Sequence, residues 1–147
     1  MLLVLDGVFV VDAEVHGGVK RADAAGLLME PKAKARPNPV ALRCFLIHGV
    51  KYAFPPNRGE QTRGIPTAHA APPLLEAFQE SIEPVPVWPH PEGKVRGQSF
   101  SPSYRSAPEA ALEDQGLYAL LALLDAMRGG RSRDRNLARQ APMERIR

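Results

Sequence analysis

The sequence lacks most of what would mark an enzyme, a metalloprotein or a membrane protein. Cysteine occurs once, at Cys44, so no internal disulfide can form and no pair of Cys spacings exists for a zinc ribbon. Long hydrophobic runs are also missing. The most apolar stretch, Met1 to Val11 (MLLVLDGVFVV), is about half the ~20 residues needed to cross a bilayer. It is interrupted by Asp6 and has no basic residue before it, so it reads as a buried β-branched strand rather than a signal or anchor. Catalytic patterns are absent as well: Gly59 to Gly64 (GEQTRG) lacks the Lys-Ser/Thr ending of a Walker loop, and no GxSxG, HExxH or paired-carboxylate pattern occurs. No enzymatic activity, metal or other cofactor is therefore expected. A soluble protein of a reducing, cytoplasmic compartment is the expectation.

What is present suits an ordinary globular chain. The 147 residues are 44% hydrophobic, 24% charged and 6% aromatic, which excludes wholesale disorder, collagen and coiled coil. That length fits one domain, or one small domain beside the remnant of another. Fifteen prolines and twelve glycines predict much loop and turn.

Charge is segregated along the chain. From His16 to Arg63 nine Lys and Arg face three acids; from Gly64 to Met127 three face eight; from Arg128 to Arg147 seven face two. Clustered cations raise the local concentration of anions, so separate faces with separate partners are expected. Lys20, Arg21, Lys32, Lys34 and Arg36 lie close enough in sequence to form one patch meeting a phosphate backbone.

Periodicity and breakers predict the elements. Asp12 to Leu28 reads as a helix capped by Asp12, with Val15, Val19 and Ala22 on one stripe and His16, Gly17, Lys20 and Asp23 opposite. Gly17 and Gly18 each weaken it by about 1 kcal/mol relative to Ala. Pro31 to Pro39 reads as a basic, proline-rich connector and domain boundary. Val40 to Phe54 reads as a helix apolar on most sides, hence core or subunit interface. Residues 55–73 read as a long ordered loop with Asn57, Arg58, Glu60, Gln61, Thr62 and Arg63 at its polar tip. Leu74 to Ile82 suits two helical turns, and residues 85–100 suit a β-hairpin or wing turning at Gly93, its first strand demoted to an edge by Pro86 and Pro89. Pro108 to Met127 is a strong helix with Leu117, Leu120, Leu121 and Leu124 on its apolar face, ended by Gly129 and Gly130. Arg131 to Arg147 reads as a polar helix or frayed tail. Cys44 and His48 share a helical face, and His69 or His90 could complete a metal site, but the spacing points to an inert buried Cys beside a hydrogen-bonded His.

The run Glu14 to Leu28, EVHGGVKRADAAGLL, resembles the second half of a helix-turn-helix in a winged-helix domain. Together with HGVKYAFPPNRGEQTRGIPTAHAAPPL and VWPHPEGKVRGQSFSPSY, it makes the whole chain similar to uncharacterised bacterial winged-helix (helix-turn-helix) proteins. The resemblance implies that the helix enters the major groove and that Ala25-Gly26-Leu27-Leu28 turns into wing strands. Val15, Val19, Ala22 and Leu27 would then face the core, and His16, Gly17, Lys20 and Arg21 would face outward. Such a domain places two helices before the recognition helix. The twelve residues up to Asp12 are too few for them, so the DNA-binding half is expected to be truncated.

The fold expected is thus mainly α with a small β-hairpin: a partial winged-helix-like segment and basic linker over residues 1–37, then a helical domain over 38–147. The function expected is that of a DNA-binding, transcription-regulator-like protein acting as a dimer. Double-stranded DNA would meet His16, Lys20, Arg21, Lys32, Lys34 and Arg36, and the apolar helices from Val40 and Pro108 would build the core and dimer interface. The alternative is an antitoxin-like or accessory interaction module that does not bind DNA by itself. It would take a protein partner on Asn57, Arg58, Arg63 and His69 and on the hairpin. A small enzyme using His48, His69 or His90 as acid or base is the third possibility.

Overall fold

Proline and glycine set the element boundaries in this chain. A computed structural model describes residues 12–29, 36–78 and 82–140, so the expected strand at Met1 to Val11, Lys32, Lys34 and the tail beyond Gln140 lie outside the described residues. The first helix, α1, spans Asp12–Ala24. It is followed by α2 (Pro39–His48) and α3 (Val50–Ala53). Asn38 caps α2, its side-chain oxygen accepting from the Ala41 N–H at 3.2 Å, and Pro39 fills the first turn, where its missing N–H is harmless. Gly49 breaks the expected Val40 to Phe54 helix in two.

Three strands follow: β1 (Arg58–Pro66), β2 (Pro86–Pro89) and β3 (Val95–Phe100). Much of the expected loop over 55–73 is therefore strand, continued by a short 3₁₀ turn at Ala68–Ala70. Its residues are poor strand formers, and what extends them is pairing with a distant partner: Arg58 lies opposite Phe100 and Gly64 opposite Val95. The expected hairpin over 85–100 is also corrected. β2 and β3 each pair antiparallel to β1, so they run the same way and pair parallel to one another, closing the three strands into a ring. Pro86 and Pro89 do not make β2 an edge, because it lies between the other two strands. Gly64 makes the closure possible: a Cβ there would sit 1.9 Å from the Trp88 carbonyl oxygen.

The Pro108 to Met127 helix is in fact two, α4 (Ala107–Glu113) and α5 (Gln115–Gly129). Asp114 ends one and caps the other, accepting from the Leu117 N–H at 2.9 Å. The last helix is α6 (Ser132–Gln140). Of the two turns expected over Leu74 to Ile82, a 3₁₀ turn at Leu75–Phe78 is formed.

The core lies on both sides of α5. Ile65, Trp88 and Phe100 from the strands pack against Ala107, Ala110 and Ala111 of α4 and Leu117 and Leu121 of α5. Val50, Leu74 and Phe78 pack with Ala126, Met127 and Ala138. By contrast α2, expected to be core or subunit interface, buries no residue, and Val40 is 79% exposed, which corrects the core alternative. Cys44 is exposed rather than buried as expected, on a helix that buries no residue.

One polar cluster runs through this core. Asp125, 1% exposed, accepts from the Thr67 hydroxyl and the Trp88 indole N–H, each at 2.7 Å, and pairs with Arg128 at 2.6 Å. Arg128 also donates to the carbonyls of Phe54 (2.9 Å) and Ser101 (3.2 Å). Burial pushes the Asp125 carboxyl above its ordinary range, while Thr67, Arg128 and Trp88 pull it back. Apart from the Asp125–Arg128 pair itself, which lies within α5, these bonds join segments distant in sequence. No helix among the described residues is long and apolar enough to cross a membrane.

Candidate nucleic-acid interface

Helix α1 turns an exposed cationic face outward. His16, Lys20 and Arg21 are exposed, while Val15, Val19 and Ala22 are half-buried on the opposite stripe. The two glycines that weaken this helix have a local use at one position: a Cβ on Gly17 would lie 3.3 Å from an Arg21 guanidinium nitrogen, so Gly17 leaves room for Arg21 to fold along the helix. Glu14, on the preceding turn, ties α1 to the body. Its carboxylate accepts from the Tyr104 hydroxyl and pairs with Arg105 at 3.2 Å. That carboxylate holds the Tyr104 phenol above its ordinary pKa, because it accepts the phenolic proton.

The helix ends in a Schellman motif. Gly26 takes φ +72°, the left-handed region that glycine enters without strain. The Leu27 N–H donates to the Ala22 carbonyl and the Gly26 N–H to the Asp23 carbonyl, both at 2.9 Å. The chain leaves this cap into a ribbon of one antiparallel bridge pair. Leu28 lies opposite Pro37, the Met29 N–H donates to the Arg36 carbonyl, and the Asn38 N–H donates to the Leu27 carbonyl, both at 2.8 Å. Arg36 is exposed on the returning strand. Of the segment expected to be a connector, Arg36 to Pro39 are among the described residues, and Pro37 in it takes part in this bridge. Asn38 then caps α2, so the ribbon is fixed at both ends by helix caps.

His16, Lys20, Arg21 and Arg36 are thereby carried on one helix–ribbon unit. The other proposed contacts lie elsewhere. Asn57, Arg58 and Arg63 are exposed along β1, whereas His69 is buried, 8% exposed, with its ring 5.3 Å from that of Phe78. Arg58 is already engaged: it donates to the Gly129 carbonyl at 2.6 Å and lies over the Phe100 ring at 5.1 Å. The Asn57 backbone exchanges hydrogen bonds with Ser101 at 2.8 and 2.9 Å.

The histidines do not converge. His48 is exposed on α2, and His90 accepts from the Glu92 N–H at 3.1 Å and faces Glu109 at 3.6 Å. His69, Glu83 and Asp134 do bring ligand-type atoms within 4.8 Å of one another. Both carboxylates are engaged, however: Glu83 pairs with Arg131 at 2.5 Å, and Asp134 accepts the Arg131 backbone N–H at 3.1 Å at the start of α6. A cation there would compete with a guanidinium already in place.

Two features lay beyond sequence reasoning. Asp125 sits on a leucine-rich face, and its only signal is an Arg one turn later. The bridge between Leu28 and Pro37 joins residues that show no strand alternation. No family model, curated protein or solved structure matches the chain.

Proposed function

We propose that this is a DNA-binding, transcription-regulator-like protein acting as a dimer, with α1 and the ribbon after it as the surface that meets duplex DNA. The observation that carries this is the order helix, left-handed glycine cap, antiparallel ribbon, with Lys20, Arg21 and Arg36 exposed on the one unit. That is the arrangement in which a winged-helix domain offers a helix to the groove and a wing to the backbone beside it. Lys20 and Arg21 suit phosphates, and His16 is the exposed side chain nearest the helix start that can reach a base edge. Affinity is therefore largely electrostatic and sequence discrimination small. Val40 and Tyr52, 79% and 75% exposed, offer apolar surface for a second copy.

A protein-docking role for β1 has less support. Arg58 is spent on Gly129 and Phe100, and the Asn57 backbone is spent on Ser101.

Fluorescence anisotropy of a labelled duplex at two salt concentrations tests the proposal. Binding should weaken steeply with salt, and K20A/R21A should flatten that slope by about two phosphate contacts. An unchanged slope, or no binding at low salt, overturns it.

A further inference from the structure

Between α2–α3 and α5–α6 runs a groove of about 260 Å³. Its walls are apolar side chains, among them Phe45, Leu46, Leu120 and Leu123. It is larger than the ~150 Å³ apolar cavity that stays dry and admits benzene. Three arginines interrupt the lining: Arg43, Arg128 and Arg139.

They differ in one respect. Arg128 is neutralised by Asp125 and also held by the carbonyls of Phe54 and Ser101. Arg139 is not. One of its terminal nitrogens donates to the Ile47 carbonyl at 3.3 Å, linking α6 to α2, while its Nε is buried with no hydrogen-bond partner. Neither Arg139 nor Arg43 pairs with a carboxylate among the described residues. A buried guanidinium N–H without an acceptor is costly, so Arg139 carries a charge that its own surroundings compensate poorly. Arg in turn is the side chain best suited to a carboxylate.

We infer that this groove is a binding site for a medium-chain aliphatic carboxylate, the chain lying among Phe45, Leu46, Leu120 and Leu123 and the head group meeting Arg139, with Arg43 at the rim. The geometry is that of a small-molecule site: mostly apolar, with few polar groups to orient the ligand. An effector pocket of this kind goes beyond DNA binding and does not depend on it, since the groove shares no residue with α1 or the ribbon.

The test is isothermal titration of the full chain with octanoate and, as a neutral isostere, octan-1-ol. Octanoate should bind more tightly than the alcohol. R139Q, with its fold checked by circular dichroism, should weaken octanoate about tenfold and leave the alcohol unchanged. Should R139Q fail to fold, R43A carries the same comparison from an exposed position, with a loss of about threefold expected. L123W, which fills the groove, should abolish both. Equal affinity for acid and alcohol, binding of neither, or octanoate binding untouched by every one of these variants overturns the proposal. So does a dimer that L123W dissolves and octanoate fails to displace, since a second copy would then be the occupant.

Discussion

Asp125 is a carboxylate on the buried side of a leucine-rich helix, and its neighbours explain how it is tolerated there. Two neutral donors and a guanidinium surround it, so the charge that burial opposes is met at both oxygens. Asp125→Ala leaves Arg128 charged and buried without its counter-ion, and the Thr67 and Trp88 donors without an acceptor. A loss of about 3–5 kcal/mol is expected in urea denaturation. Asp125→Asn keeps an acceptor for Thr67 and Trp88 and should lose less; equal losses would mean that the charge matters and the hydrogen bonds do not. Tyr118 gives a separate, pH-dependent signal. Its hydroxyl donates to the Pro66 carbonyl at 2.6 Å, and burial holds its pKa above the ordinary value of about 10. A raised folded-state pKa adds stability that is complete below the unfolded value and is lost as pH rises through the folded one. Tyr118→Phe should therefore cost about 1 kcal/mol near neutrality, and its deficit against the parent should shrink as pH climbs beyond about 10. A deficit constant with pH would show that Tyr118 titrates as it does in the unfolded chain.

Among the elements, the three-stranded ring depends on a backbone contact that only glycine permits. Gly64 meets the Trp88 carbonyl on one side and Gly93 on the other, where a Gly93 Cβ would fall 2.3 Å from the Gly64 Cα. Gly64→Ala must push β1 off β2, at a cost at or above the ~3 kcal/mol typical of severe overpacking. Thermal denaturation reads this directly, and a Tm within a degree or two of the parent would mean that the ring can open without loss. The same ring shows why helices were easier to read from sequence than strands. In α1 and α5 the apolar stripe and the end signals lie within the segment itself, so their existence was legible, although the break at Asp114 was not: a capping residue inside a continuous apolar pattern resembles any other polar position. In β1 the pattern Arg-Gly-Glu-Gln-Thr-Arg-Gly carries no alternation, and its strand character comes from Val95 to Phe100, remote in sequence. The direction of β2 was equally hidden, because it follows from sharing β1 with β3. At the candidate interface, Lys20, Arg21 and Arg36 could be listed together from charge alone. That a ribbon fixes Arg36 beside α1 rests on backbone hydrogen bonds that charge does not encode.

At the scale of the molecule, two differently anchored parts emerge. The body, from α3 to α5, is stitched through one buried ion pair: Asp125 and Arg128 reach the chain after β1 at Thr67, β2 at Trp88, the end of α3 at Phe54 and the chain after β3 at Ser101. Among its attachments, the helix–ribbon unit meets the body through Glu14, a side chain 41% exposed, by contacts to Tyr104 and to an Arg105 side chain 80% exposed. Contacts so open to solvent hold weakly and loosen as salt rises. Peeling any one segment from the ion pair leaves a buried charged group short of a hydrogen bond, a penalty that couples the opening of those segments to one another. Helix α1 supplies no group to that ion pair, so loss of its order leaves the buried network intact, and the two parts can differ in the free energy at which they open.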